Sequence, residues 1–187
     1  PTARFDVTSD WRPLGAAALR YLPATLRPWL ADTGSLTAAL RRALAGAFDC
    51  TLLAHGWRAA SADEARLLGR APGSRLYWRR VRFSYPGHAG RALLIGHTLA
   101  PPAVLAACPR LRRLGDRPIG ELLFADPAIR RERIELAKPG SGALLSVPNA
   151  LAARRALVPA GRGRLLVTEH FLPAMRRVPL GSPCCNA

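Results

Sequence analysis

The run 165–173 alternates apolar and polar residues with the period of two that is typical of a β-strand. Its apolar side is the side that a sheet normally buries, yet Glu169 stands on it, in line with Val167 and Phe171. A buried carboxylate without a partner is costly and tends to take up a proton. We therefore expect Glu169 to face a buried cation or a bound ligand. The alternatives are an ordinary structural ion pair or a misjudged face of the strand.

Two other strand-like runs carry polar residues at apolar positions. The run 75–83 puts Arg80 on the face of its Leu76 and Trp78, and the run 93–99 puts His97 in line with its leucines and isoleucine. Taken singly, such an Arg is often stacked on the Trp, and such a His is often a satisfied core residue. Together with Glu169, they predict a polar pocket within a sheet.

The strand-like runs are joined by short connections that contain Gly or Pro, which favours hairpins and hence antiparallel pairing. Helices are expected at 36–45 with Ser35 as N-cap, at 61–69 with a capping box, after Pro101 and up to Phe124. We predict an α+β fold, with a single antiparallel sheet of about six strands and flanking helices. The predicted strands are 48–59, 75–85, 91–100, 130–137, 151–158 and 164–172.

At 187 residues, the chain suits one domain with a sizeable core. We expect residues 1–187 to form it, with short helical pieces over 1–32 and a tail over 174–187. No stretch approaches the roughly 20 apolar residues of a membrane span, and no signal peptide opens the sequence. The expected location is therefore the cytoplasm, and the expected state is a monomer.

The net charge of +16 favours binding to phosphates. However, Lys138 is the only lysine, and the arginines are scattered as pairs along the chain without a basic stripe. No helix-turn-helix, zinc-finger or aromatic RNA-binding pattern is present. We expect no specific nucleic-acid partner, and we expect the charge to attract small anions.

The four cysteines show no zinc-type spacing, so we expect no metal site and free thiols. Cys184 and Cys185 are neighbours in the predicted tail. Their geometry disfavours a bond to each other, and an intermolecular disulfide on storage is the alternative.

Several blocks of the sequence resemble the chorismate pyruvate-lyase family, which makes 4-hydroxybenzoate for bacterial ubiquinone synthesis. They occur in order over most of the chain, and the last two are the most specific. The blocks are Trp29-Leu30, Gly34-Ser35-Leu36-Thr37, Tyr77-Trp78-Arg79-Arg80, 96–101, 114–124 and 166–173. The resemblance implies an antiparallel sheet with flanking helices, chorismate as substrate, 4-hydroxybenzoate and pyruvate as products, and no cofactor.

The resemblance also implies a set of site residues. In the family, an Arg binds the product's carboxylate, a Glu lies at its hydroxyl end, and two apolar positions complete the site; the matching positions are Arg80, Glu169, Leu36 and Ile119. Arg80 is expected to bind the ring carboxylate with two hydrogen bonds. Glu169, with a pKa raised by burial, is expected to hydrogen-bond to the ether oxygen and to act as general acid.

His97 departs from the family pattern, because relatives carry Arg in that block. A His is a weaker anion ligand than Arg, so Arg91 or another arginine is expected to hold the second substrate carboxylate.

A ligand-binding module without turnover is the alternative. The UTRA effector domains of some bacterial transcription regulators are similar in fold to the lyases and bind small molecules. They normally follow a winged-helix segment, and this N-terminus is short and rich in proline.

Overall fold

A seven-stranded antiparallel sheet forms the centre of the protein, with strand order β1-β5-β6-β7-β4-β3-β2. The computed structural model describes residues 10–126, 128–141 and 146–180. The strands are β1 Arg12–Pro13, β2 Asp49–Ala59, β3 Arg75–Tyr85, β4 His88–Ala100, β5 Glu132–Ala137, β6 Ala152–Ala160 and β7 Gly163–Phe171. The α+β prediction is confirmed.

Short helices flank the sheet. The α-helices are α1 Ala16–Leu19, α2 Arg27–Ala31, α3 Leu36–Ala43, α4 Ala62–Leu67, α5 Pro102–Ala107 and α6 Ile119–Leu123. Single 3-10 turns span Ala24–Leu26, Pro109–Arg113 and Pro173–Arg177. Ser35 caps α3, and Ser61 with Glu64 forms the capping box of α4, as the sequence predicts.

Both faces of the sheet are covered. Leu94, Phe171 and Val167 belong to the face that packs against α2, α3, α5 and α6, which we call the α3 face. Leu76 and Leu166 belong to the opposite face, which packs against α4 and which we call the α4 face. Since cross-strand partners share a face, the register assigns the paired residues away from the register shifts to one of the two faces.

The observed elements differ from the predicted ones at the chain ends. The two-residue strand β1 is additional, and it pairs with β5 at the sheet edge. Residues 174–178 are not a tail, because Met175 and Val178 are buried and the Val178 carbonyl accepts from Trp29 Nε1 at 3.1 Å. Cys184 and Cys185 lie outside the described residues, whereas Cys50 and Cys108 are free thiols as predicted. Within the described ranges, no helix is long and apolar enough to cross a membrane.

Candidate functional site

Glu169 lies on the α3 face of the central strand β7, and it is only 5 % exposed. Its cross-strand partners are Gly96 on β4 and Arg154 on β6, and Gly96 in turn faces Val81 on β3. Gly96 adds no side chain to the space beside the Glu169 carboxylate, where a Cβ would lie 3.1 Å from Val81 Cγ2. The predicted acid on a buried apolar face is therefore present.

An enclosed cavity of about 30 Å³ occupies this space, between the sheet and helices α3 and α6. Glu169 and Arg131 are its charged lining residues, and the remaining lining is mostly apolar. The wall consists of Leu36, Thr37, Val81, Phe83, Leu94, Gly96, His97, Thr98, Ile119, Gly120, Leu123, Phe124, Arg131, Val167 and Glu169.

Two arginines hold the Glu169 carboxylate. Arg131 Nη2 donates to Oε1 at 2.7 Å, and Arg154 Nε donates to Oε2 at 2.7 Å. Burial by itself raises the pKa of Glu169, but the charges and hydrogen bonds of Arg131 and Arg154 outweigh it and keep the pKa below its usual value. The expectation of a raised pKa is therefore wrong, and Glu169 is ionised at neutral pH.

The same arginines fix the segment that leads into α3. Arg154 Nη1 donates to the carbonyls of Trp29, at 2.8 Å, and of Asp32, while Arg131 Nε donates to the Gly34 carbonyl at 3.1 Å. The last carbonyls of a helix have no N–H donor within the helix, and Arg154 donates to those of Trp29 and of the C-cap residue Asp32. The ion cluster thus positions the N-terminal end of α3.

Leu36 and Ile119 are the first residues of α3 and α6, and both line the cavity. Helix geometry leaves backbone N–H groups of the first turn without an intrahelical acceptor. The two helices approach so closely that a Cβ at Gly120 would lie 2.4 Å from Thr37 Oγ1. Both apolar positions implied by the family resemblance therefore lie in the wall of the cavity.

Arg80 does not share a face with Glu169. It pairs with His97 on β4, whose partner on β7 is Thr168, so all three lie on the α4 face. There Arg80 Nη2 donates to the Ser146 carbonyl at 3.2 Å. The prediction that Arg80 shares a pocket with Glu169 is wrong, because both faces of the sheet are covered and an apolar face alone does not identify the cavity side. His97 does line the cavity of Glu169, although its register position is on the α4 face.

Arg79 is the buried arginine of β3 on the α3 face, which it shares with the exposed Arg75 at the start of the strand. It pairs with Thr98, which pairs with Val167, and both of these residues line the cavity. Arg79 is 3 % exposed, and its Nη2 donates to the carbonyls of Gly115 at 2.6 Å and Arg117 at 2.7 Å. Its Nε and Nη1 make no hydrogen bond of good geometry within the described residues, and the Cys50 thiol is the side chain that interacts with the guanidinium. The alternation with Tyr77, Val81 and Phe83 was the signal for Arg79 in the sequence.

The loop that binds Arg79 continues into α6. Gly115 has a φ of +54°, a conformation that favours glycine and allows its tight turn. Asp116 accepts a hydrogen bond from the Leu52 backbone N–H of β2 at 2.6 Å. Arg79 therefore lies beneath one covering segment of the cavity.

His97 is a poor anion ligand in this structure. Its ring lies 5.0 Å from the His170 ring, measured between centroids, on the α4 face. Burial lowers the pKa of His97 to about 3, and electrostatic interactions with His170 and Arg80 lower it further, so the His97 ring is neutral at physiological pH. Arg91 is exposed over the Tyr85 ring at 5.7 Å and does not line the cavity. Within the described residues, no group of three or more metal-ligating side chains is present.

Comparison with known proteins identifies the family. The chorismate lyase family model matches residues 8–178, which is most of the chain. The chain belongs to the chorismate lyase family. It is 36 % identical over 167 residues to a probable chorismate pyruvate-lyase of Azoarcus sp. (strain BH72), covering 82 % of this chain and 87 % of that protein. It is 33 % identical over 183 residues to the one of Marinobacter nauticus, covering 96 % and 94 %.

The sheet architecture of this family member also occurs in a regulator domain. The effector domain of PhnF from Mycobacterium smegmatis matches with a TM-score of 0.50 at 18 % identity, covering 75 % of this chain and 89 % of that one. This likeness concerns the fold alone.

Proposed function

We propose that the protein is a chorismate pyruvate-lyase, which converts chorismate to 4-hydroxybenzoate and pyruvate. The observation that carries the proposal is an enclosed, mostly apolar cavity beside the ionised carboxylate of Glu169. The buried cation Arg79 lies on the same face of the sheet, and the chain belongs to the chorismate lyase family. An apolar wall with a few convergent polar groups is the usual form of a small-molecule site.

The reaction consumes no second substrate, because 4-hydroxybenzoate and pyruvate together contain the atoms of chorismate. Chorismate carries a ring carboxylate, a ring hydroxyl and, on the carbon next to the hydroxyl, an enolpyruvyl ether. The ether bond to the ring breaks, and its electron pair goes to the ether oxygen. The hydrogen on the hydroxyl-bearing carbon leaves as a proton, so that its electron pair completes the aromatic ring. This proton ends on the methylene carbon as enolpyruvate becomes pyruvate. The ring hydroxyl remains as the phenol.

In this proposal Arg79, and not Arg80, binds the ring carboxylate. Arg79 is two strands and two residues away from Glu169 on the same face, roughly 12 Å between Cα atoms from strand spacing and rise. Side chains that extend from both ends leave room for one aromatic ring between them. A buried guanidinium with spare N–H donors is well suited to a carboxylate.

Glu169 accepts a hydrogen bond from the ring hydroxyl. Because Arg131 and Arg154 keep its pKa low, the carboxylate can only accept hydrogen bonds at neutral pH, and it orients the ring without acting as a general acid. Leu36 and Ile119 enclose the ring from the helix side, which excludes water and fixes one conformer.

The cavity is closed in this structure. Its volume of about 30 Å³ is far below the 300–1,000 Å³ of typical ligand pockets. Substrate entry therefore requires that α3 and α6 move apart from the sheet. An ion pair between Arg41 of α3 and Glu121 of α6 links the two helices, so they can move together.

The test is incubation with chorismate and measurement of 4-hydroxybenzoate and pyruvate in equal amounts. Arg79→Lys and Arg80→Lys form a matched pair on adjacent residues. Arg79→Lys is expected to weaken 4-hydroxybenzoate binding by about 10- to 100-fold, the size of a lost charged hydrogen bond, in isothermal titration calorimetry. Arg80→Lys is expected to leave it nearly unchanged. A larger loss at Arg80 would reverse the assignment.

A small-molecule sensor of the UTRA type is the second candidate, favoured by the likeness of the sheet to the PhnF effector domain. A sensor would bind an aromatic carboxylate without releasing pyruvate, so the same incubation separates the two. For the lyase, we further propose a cytoplasmic enzyme whose 4-hydroxybenzoate serves ubiquinone synthesis.

A further inference from the structure

Arg131 has one guanidinium nitrogen that the protein leaves unused. Its side chain is 3 % exposed, Nε donates to Gly34, Nη2 donates to Glu169, and the guanidinium lies 5.4 Å from the centroid of the Phe124 ring. Nη1 is buried and has no hydrogen-bond partner in the described part of the chain. A buried N–H without an acceptor is costly. Because Arg131 lines the cavity, a ligand in the cavity is the natural acceptor.

We propose that Arg131 is a catalytic residue that donates a hydrogen bond from Nη1 to the ether oxygen of the enolpyruvyl group as this group leaves. The inference rests on the function proposed above. Glu169 binds the ring hydroxyl, and the ether oxygen is on the adjacent ring carbon. Arg131 is hydrogen-bonded to Glu169 through Nη2. With the ring hydroxyl on Glu169, the neighbouring nitrogen Nη1 is therefore placed next to the ether oxygen, the substrate atom that gains negative charge.

The charges around Glu169 favour this step. Two guanidinium groups surround the one carboxylate of Glu169, and the charge of Asp32 also acts on Arg131. When the ether bond breaks, its electron pair moves to the ether oxygen, and a fixed donor in a dry site stabilises that negative charge more strongly than water does. Arg131 stays protonated throughout, because a guanidinium does not give up its proton in proteins.

Arg154 offers a matched comparison. It also binds Glu169, but its Nη1 donates to the backbone carbonyls of Trp29 and Asp32, and it does not line the cavity. Arg154 therefore acts on the substrate only through Glu169, as a positioning residue.

The experiment compares Arg131→Lys, Arg154→Lys and the exposed neighbour Arg130→Lys, each with kcat for chorismate and the dissociation constant of 4-hydroxybenzoate. The product keeps the hydroxyl but lacks the ether oxygen. Arg131→Lys is expected to lower kcat by about 100-fold or more, the usual effect of removing a transition-state donor, while the product's affinity changes far less. Arg154→Lys is expected to lower kcat and product affinity in parallel. Arg130→Lys is expected to change neither.

A parallel loss of kcat and product affinity in Arg131→Lys, or no loss of kcat, would overturn the proposal. If wild-type protein releases no pyruvate, the proposed function itself fails, so the two failures are distinct. If Arg131→Lys does not fold, wild-type protein provides the test. It should bind 3,4-dihydroxybenzoate about 10-fold or more tightly than 4-hydroxy-3-methylbenzoate, because only the former has an oxygen for Nη1. Equal affinities would refute the donor role.

Discussion

Replacement of Glu169 by Gln is expected to destabilise the protein strongly, although the two side chains have nearly the same shape. The carboxylate oxygens each accept from one arginine at 2.7 Å, and Arg154 Nη2 also lies 2.7 Å from Oε2. A Gln side chain has one acceptor oxygen and one NH₂ group. In either orientation, the NH₂ group faces a guanidinium N–H, so one arginine loses its partner.

The magnitude follows from burial. Arg131 and Arg154 have side chains that are 3 % and 0 % exposed, so solvent cannot replace the lost carboxylate. Breaking a buried ion pair by removing one partner costs about 3–5 kcal/mol. This is a large share of the about 5–15 kcal/mol that stabilises a typical domain. The matched control is Glu132→Gln, because Glu132 and Arg164 are both exposed and such pairs contribute about 0–1 kcal/mol.

Equilibrium unfolding in urea at pH 7, followed by circular dichroism, measures both variants. The expected result is a lower midpoint for Glu169→Gln with an unchanged m-value, which indicates lost stability without a change in compactness. A loss of less than about 1 kcal/mol, similar to that of Glu132→Gln, would show that the ion cluster is not the buried, unscreened arrangement described above.

Three further predictions concern pH, closure and charge. The pKa of His97 is lowered to about 3 in the folded state from about 6.5 when unfolded, so the unfolded state binds more protons and stability is lost as pH falls from 6.5 towards 3. Urea unfolding between pH 7 and 5 should show that the free energy of unfolding falls by up to about 1.4 kcal/mol per pH unit below 6.5. This fall should be smaller in His97→Gln, and it should be unchanged in the control His88→Gln, whose side chain is exposed. Gly120→Ala should hinder closure of α6 on α3, because its Cβ would lie 2.4 Å from Thr37 Oγ1. Steady-state kinetics should show kcat/KM lowered by about tenfold in Gly120→Ala and partly restored in the Thr37→Ala/Gly120→Ala double variant, where the Cβ of residue 37 remains 3.0 Å away. An unaffected single variant would contradict the closed arrangement. Raising salt from about 50 to 500 mM should lower kcat/KM for chorismate several-fold and leave kcat nearly unchanged, because the net charge of +16 accelerates the encounter with the anionic substrate and not the chemical step. A salt-dependent kcat would refute this electrostatic steering.

The ion cluster of Glu169, Arg131 and Arg154 could be predicted only in part from the alternation of apolar and polar residues. Glu169 was identifiable because one acid interrupts the apolar side of a strand, and Arg154 interrupts the apolar side of β6 in the same way, between Ala152 and Ala156. Arg131 gave no such signal. It lies just before β5, beside a register shift between Glu132 and Glu135, so its direction does not follow from the strand period.

The site positions Leu36 and Ile119 came from the resemblance to the chorismate lyase family. The sequence by itself determined six of the seven described strands, the helix caps and the antiparallel connections. These features depend on local periodicity, turn residues and capping side chains, which act over a few residues. The choice between Arg79 and Arg80 was a matter of tertiary structure, because helices cover both faces of the sheet and both faces of β3 are therefore apolar. The protonation state of Glu169 was decided in the same way, since its pKa depends on two arginines that lie 38 and 15 residues away in the chain and reach it only when β5, β6 and β7 assemble.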